Sequence, residues 1–101
     1  MITPLQLDSY HYKCKCCHKL HAGPTRILDF ACVREQMLER GVERIFEADF
    51  LSVCECAQPV KITFRVREHP EGVFDYLGCQ SADAEMIIDP KVREHMNLVD
   101  V

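Results

Sequence analysis

The chain has no tryptophan and only four glycines. So few glycines leave no room for a phosphate-cradling glycine loop, and no nucleotide-binding pattern occurs. No metalloprotease helix motif, serine elbow or deaminase signature is present either. No apolar run is long enough to cross a membrane as a helix. The opening stretch, MITPLQLDSYHYKC, lacks a cationic segment followed by an apolar one, so no signal peptide is expected. Repeats, low-complexity tracts and linkers are missing, which predicts one domain over residues 1–101. Excess positive charge is missing too. The formal net charge is −4, and the one basic segment sets Lys13, Lys15, Lys19 and Arg26 against Asp8. A general nucleic-acid binder carries a broader basic surface. The composition, 48% hydrophobic and 28% charged, is that of a globular chain and not a disordered one. The expected compartment is the cytoplasm.

Cysteine is what the chain has. Seven are present, an odd number. In a secreted chain they would read as disulfides with one left over; in a cytoplasmic chain they read first as metal ligands. Adjacent Cys16 and Cys17 also fit poorly in a simple bridge framework. Three cysteines and three histidines crowd into YHYKCKCCHKLHAG, Tyr10 to Gly23. Cys14 and Cys17 make a C-x2-C pair, and Cys54 and Cys56 make a C-x-C pair beside the turn at Gln58–Pro59. Structural Zn2+ takes four soft ligands at the corners of a tetrahedron, and two short pairs on turns supply them. The expected ligands are Cys14, Cys17, Cys54 and Cys56. Cys16, His18 and His21 are the spares: each can replace a ligand, and the histidines can instead donate a hydrogen bond from outside the ligand set or face solvent. His11 reads as a strand surface residue. Cys32 reads as a core residue and Cys79 as a core or partly exposed thiol.

These two cysteine knuckles resemble a zinc ribbon, over residues 10–67. The resemblance implies metal binding at the four cysteines and a hairpin under each knuckle. It implies no particular function, because ribbons serve nucleic-acid binding, protein docking and enzyme scaffolding alike. The chain departs from the common pattern in its C-x-C pair and in the long span, residues 18–53, between the pairs.

Residues 7–13 predict a strand leading into the first pair. Thr25 is placed to cap a helix running to about Arg40, with Ile27, Leu28, Ala31, Cys32, Met37 and Leu38 on its apolar face and Gly41 as its stop. Ile45, Phe46, Phe50, Leu51 and Val53 predict a strand. VKITFRVR alternates cleanly, Val60, Ile62, Phe64 and Val66 against Lys61, Thr63, Arg65 and Arg67. EHPEG reverses the chain and VFDYLG returns as the partner strand. Asp89–Pro90 resembles an N-cap and first turn for a short helix, PKVREHMN. Residues 79–88 fit neither period. The expected fold is α+β: a small antiparallel sheet, a two-knuckle metal site, one main helix inserted between the knuckles and a short C-terminal helix.

Small size and the lack of a catalytic constellation predict a non-enzymatic zinc-binding interaction module docking a protein partner, as an accessory subunit, inhibitor or immunity-type protein. A homodimer through an exposed hairpin edge is compatible with this. The alternative is a nucleic-acid-binding ribbon: Lys13, Lys15, Lys19 and Arg26 would touch phosphates, Tyr10 and Tyr12 would stack on bases, and Lys61, Arg65 and Arg67 would extend the surface. A thiol enzyme using Cys79 or Cys16 is the third class, but Cys79 has no histidine near it in the sequence, and His69 lies in a polar turn.

Overall fold

The computed structural model describes residues 2–94, and among them there are nine strands and no helix. Six strands form an antiparallel sheet: β1 (Ile2–Asp8), β4 (Arg26–Leu38), β5 (Gly41–Val53), β6 (Pro59–Glu68), β7 (Phe74–Gln80) and β9 (Lys91–Glu94). Their order is β7-β6-β5-β4-β1-β9, and the last strand comes round beside β7, so the sheet is almost closed into a barrel. Three short strands, β2 (His11–Cys14), β3 (Leu20–Ala22) and β8 (Ala84–Ile88), form a second sheet in the order β3-β2-β8.

Period-two alternation decides what is inside. Val60, Ile62, Phe64 and Val66 of β6 are buried, as the sequence pattern requires. Leu5 and Leu7 of β1, Phe30 of β4, and Phe46, Ala48 and Phe50 of β5 complete the inner face. The small sheet packs onto this core through Tyr10 and Tyr12. Tyr10 meets Phe50 and Phe64 edge-on, with ring centroids 6.0 and 5.6 Å away. Its ring leaves no room for a side chain at Gly23, where a Cβ would lie 1.9 Å from it. Only glycine fits there, and its N–H donates to the Tyr10 carbonyl at 2.8 Å. At the far end Glu68 follows the inward parity of β6. It is buried, accepting from Arg44 Nη1 at 3.2 Å and from the Gly72 backbone N–H at 2.9 Å.

The α+β expectation is therefore wrong. The segment read as the main helix is β4. Its apolar residues fall on both faces of a strand: Leu28, Phe30 and Cys32 lean toward the core, while Ile27 and Val33 face out. Two-sided apolarity mimics a broad helical stripe, and a bulge between Cys32 and Arg34 blurs the alternation further. Tertiary pairing settles the matter, because β1 and β5 flank β4 and take up its backbone groups. Gly41 does not stop a helix. It sits at φ +118° beside the two-residue turn that joins β4 to β5. The expected C-terminal helix is likewise a strand over Lys91–Glu94, paired with β1, and its remaining residues, 95–97, lie outside the described residues. Asp89–Pro90 opens a strand here, with the proline just before an edge strand, where its missing N–H costs no ladder bond. The strand expected over residues 7–13 is split between β1 and β2 by a break at Ser9, φ +62°.

Candidate metal centre

Two hairpin tips meet at one end of the molecule. The β2–β3 tip carries Cys14 and Cys17; the β5–β6 tip carries Cys54 and Cys56. The tips share a local design. In the first, Cys14 N–H donates to the Lys19 carbonyl (2.9 Å) and His18 N–H to the Cys14 carbonyl (2.8 Å). In the second, Cys54 N–H donates to the Gln58 carbonyl (2.9 Å) and Ala57 N–H to the Cys54 carbonyl (2.8 Å). Each loop turns on a left-handed non-glycine residue, His18 at φ +63° and Ala57 at +68°. Such residues cost about 1–2 kcal/mol of local strain and persist where the surroundings hold them.

The four sulfurs lie within 4.8 Å of one another. Cys14 Sγ is 3.9 Å from Cys56 Sγ, and Cys17 Sγ is 3.4 Å from Cys54 Sγ. A tetrahedron of sulfurs at the usual zinc–sulfur length has edges of about 3.8 Å. A disulfide would need about 2.05 Å. All seven cysteines are free. Four sulfurs so placed can hold one metal ion. Cys14 and Cys54 are buried; Cys17 and Cys56 are exposed, so the cluster opens to the surface on one side.

The electrostatics follow from the loops. The backbone N–H of Cys17 stabilises the Cys14 thiolate, outweighing burial, and with smaller help from Cys16 N–H and the Cys54 and Cys17 thiols it brings the group down to about 7. The Cys56 backbone N–H pulls Cys54 the same way, but burial and the Cys17 thiol leave that group above its ordinary value. Cys56 also ends above its ordinary value: the Gln58 backbone N–H lowers it, while burial and the Cys54 thiol raise it by more. One thiol is thus prepared to ionise first, as coupled neighbours require.

Lys19 and Glu55 form an ion pair from one tip to the other. The pair raises the lysine and lowers the glutamate from their ordinary values. Both side chains are largely exposed, so the pair aligns the tips more than it stabilises them. A third segment braces the tips. Lys15 N–H donates to the Asp83 carbonyl at 2.9 Å, and the Asp83 carboxylate accepts from Lys61 N–H (3.1 Å) and Gln58 Nε2 (3.4 Å). Ser81 Oγ donates to the Lys61 carbonyl at 2.6 Å and accepts from the N–H groups of Asp83 and Ala84. Sequence reasoning missed this brace, since residues 79–88 show no period. The available signal was the local bonding habit of the S-x-D triplet.

The remaining candidates separate clearly. Cys16 and His18 are exposed on the first loop. His21 is half-buried, with Nε2 3.3 Å from Cys54 Sγ. His11 is half-buried on β2. Cys32 is half-buried against the core on β4, not on a helix, and Cys79 is exposed on β7. His69 Nδ1 lies 3.4 Å from the Val42 carbonyl oxygen in the β6–β7 turn. Tyr10 and Tyr12, 1% and 5% exposed, are core residues with no ring face open to a base. Among the described residues no helix is long and apolar enough to cross a membrane.

Comparison with protein families, with curated proteins and with solved structures found no match for this chain.

Proposed function

We propose that the chain is a small zinc-stabilised interaction module, with Cys14, Cys17, Cys54 and Cys56 holding one structural Zn2+. The observation that carries this is the meeting of four sulfurs, two from each of two hairpin tips, at zinc-ligand spacing. Four thiolates fill a tetrahedral shell and leave no open position for a substrate or catalytic water, so the proposed role is non-enzymatic. The metal would tie strands far apart in sequence and supplement a core of modest size.

The proposed ligand of the module is a protein. Leu51 and Val53, 65% and 67% exposed, lie on the outer face of β5 immediately before the second knuckle, with Val53 opposite Pro59. Apolar side chains in such a place suit a protein contact. The nucleic-acid alternative has less to stand on. Its tyrosines are core residues, Arg26 lies over the Phe50 ring at 5.5 Å, and Lys19, Lys61, Arg65 and Arg67 each face an acid.

Zinc per chain, measured by elemental mass spectrometry on untagged protein with thiols counted in parallel, tests the first part. One zinc released only on unfolding is expected; no metal with thiols missing from the count overturns it. For the second part, Leu51→Ser with Val53→Ser should keep zinc and abolish capture of a nuclease-resistant protein partner. Binding to DNA or RNA that weakens steeply with salt would favour the alternative.

A further inference from the structure

We infer that His21 positions the Cys54 thiolate by donating its Nε2–H to the sulfur from outside the metal's ligand set; the inference rests on the zinc reading above. The His21 Nε2 to Cys54 Sγ distance is 3.3 Å, the range of an N–H···S bond. The ring is aimed there by more than the sulfur. His21 stands directly opposite Tyr12 in the β2–β3 register and stacks on it, with centroids 5.2 Å apart and planes 22° apart. Tyr12 is itself buried edge-on against Phe50, centroids 5.9 Å apart. The strand pleat turns Leu20 and Ala22 outward and His21 inward. His18 has none of this support, being exposed in the turn at φ +63°.

A zinc ion held by four thiolates carries about −2 net charge. Hydrogen bonds from surrounding groups fix ligand orientation and draw charge off the sulfurs. Cys54 is buried, so a protein donor must serve its sulfur in place of water. The imidazole supplies a donor at hydrogen-bonding distance. Donation from Nε2 sets the tautomer, with Nδ1 left as the acceptor nitrogen.

Cobalt(II) loaded into the full chain in place of zinc tests this, because thiolate-to-cobalt charge-transfer bands report the electron density on sulfur. His21→Phe keeps an aromatic ring on Tyr12 and removes the donor. His21→Gln returns an amide N–H near the position of Nε2. In the wild type and His21→Gln the same four-thiolate bands are expected. In His21→Phe the metal count stays at one, the charge-transfer band moves to lower energy, and the ion passes to a competing chelator about tenfold more readily. Unchanged bands and transfer in His21→Phe would overturn the positioning role and leave the zinc reading intact. A three-thiolate, one-imidazole spectrum in the wild type overturns it by making His21 a ligand. No cobalt bound by the wild type overturns both readings.

Discussion

Cys14 and Cys56 stand 42 positions apart in the chain and hold their sulfurs 3.9 Å apart. The pairing is crosswise, since Cys17 meets Cys54 at 3.4 Å. Each hairpin tip therefore contributes to both contacts, and neither tip holds a metal alone. Cys14→Ser and Cys54→Ser should each lose the metal and unfold the domain. Structural zinc in finger peptides contributes about 10–16 kcal/mol, as much as the whole net stability of a typical domain, about 5–15 kcal/mol. Cys32→Ala and Cys79→Ser should keep one zinc per chain. Elemental analysis with thermal unfolding by circular dichroism checks the series. Full zinc stoichiometry in Cys54→Ser would refute this ligand set.

Metal binding displaces the protons its ligands still carry. In the metal-free protein Cys54 and Cys56 sit above their ordinary values and are protonated throughout the neutral range. Cys14, lowered to about 7, passes from mostly protonated to mostly ionised as the pH rises through that value. Binding therefore displaces up to one more proton well below pH 7 than well above it. Log affinity should rise with pH everywhere between 6 and 8, and more steeply by about one proton below 7. Competition against a chromophoric chelator at several pH values measures the slope. A slope that is the same on both sides of pH 7 contradicts the ordering of the thiols.

Asp83 braces both knuckles without belonging to either. Asp83→Ala removes the acceptor for Lys61 N–H and Gln58 Nε2. These groups lie near the surface, so water replaces part of what is lost, and the cost should be about 1 kcal/mol. The same change should quicken zinc loss, because the second loop is less firmly held. Chemical denaturation and chelator-driven release are the measurements, and a change in neither would remove Asp83 from the site.

Tyr10 and Gly23 make an opposed pair of tests. Gly23→Ala drives a methyl into the Tyr10 ring, which is wedged between Phe50 and Phe64. Overpacking of this kind costs about 1–3 kcal/mol. The Tyr10 hydroxyl is buried with no partner among the described residues, and burial pushes the group up to about 12. Tyr10→Phe should therefore be neutral or stabilising by up to about 1 kcal/mol. Melting temperatures of the two variants should move in opposite directions or, for the second, not at all.

Much of the core was legible in the sequence where one face alone is apolar. Val60 to Val66 show it: every second residue is apolar, every other one polar, and the strand forms as read. The pairing of VKITFRVR with VFDYLG was legible for the same reason, with a turn-forming stretch between them. Arg26–Leu38 was misread because its outward residues Ile27 and Val33 are as apolar as its inward ones, so periods of two and 3.6 fit equally well. The nucleic-acid alternative placed Tyr10 and Tyr12 at the surface, and nothing local says that Tyr10 will lie against Phe50 and Phe64 and Tyr12 against Phe50.

By itself the sequence determined that thiols gather at two turns, because cysteines on one tight turn must end near each other; it left open whether Cys16, His18 or His21 replaces one of them. It also determined the alternating core strands. The tertiary structure alone decided that the two pairs meet, because the β2–β3 and β5–β6 tips are brought together by the packing of one sheet on another. It likewise decided that β4 is a strand, since a segment with two apolar faces takes its conformation from the neighbours that pair with its backbone.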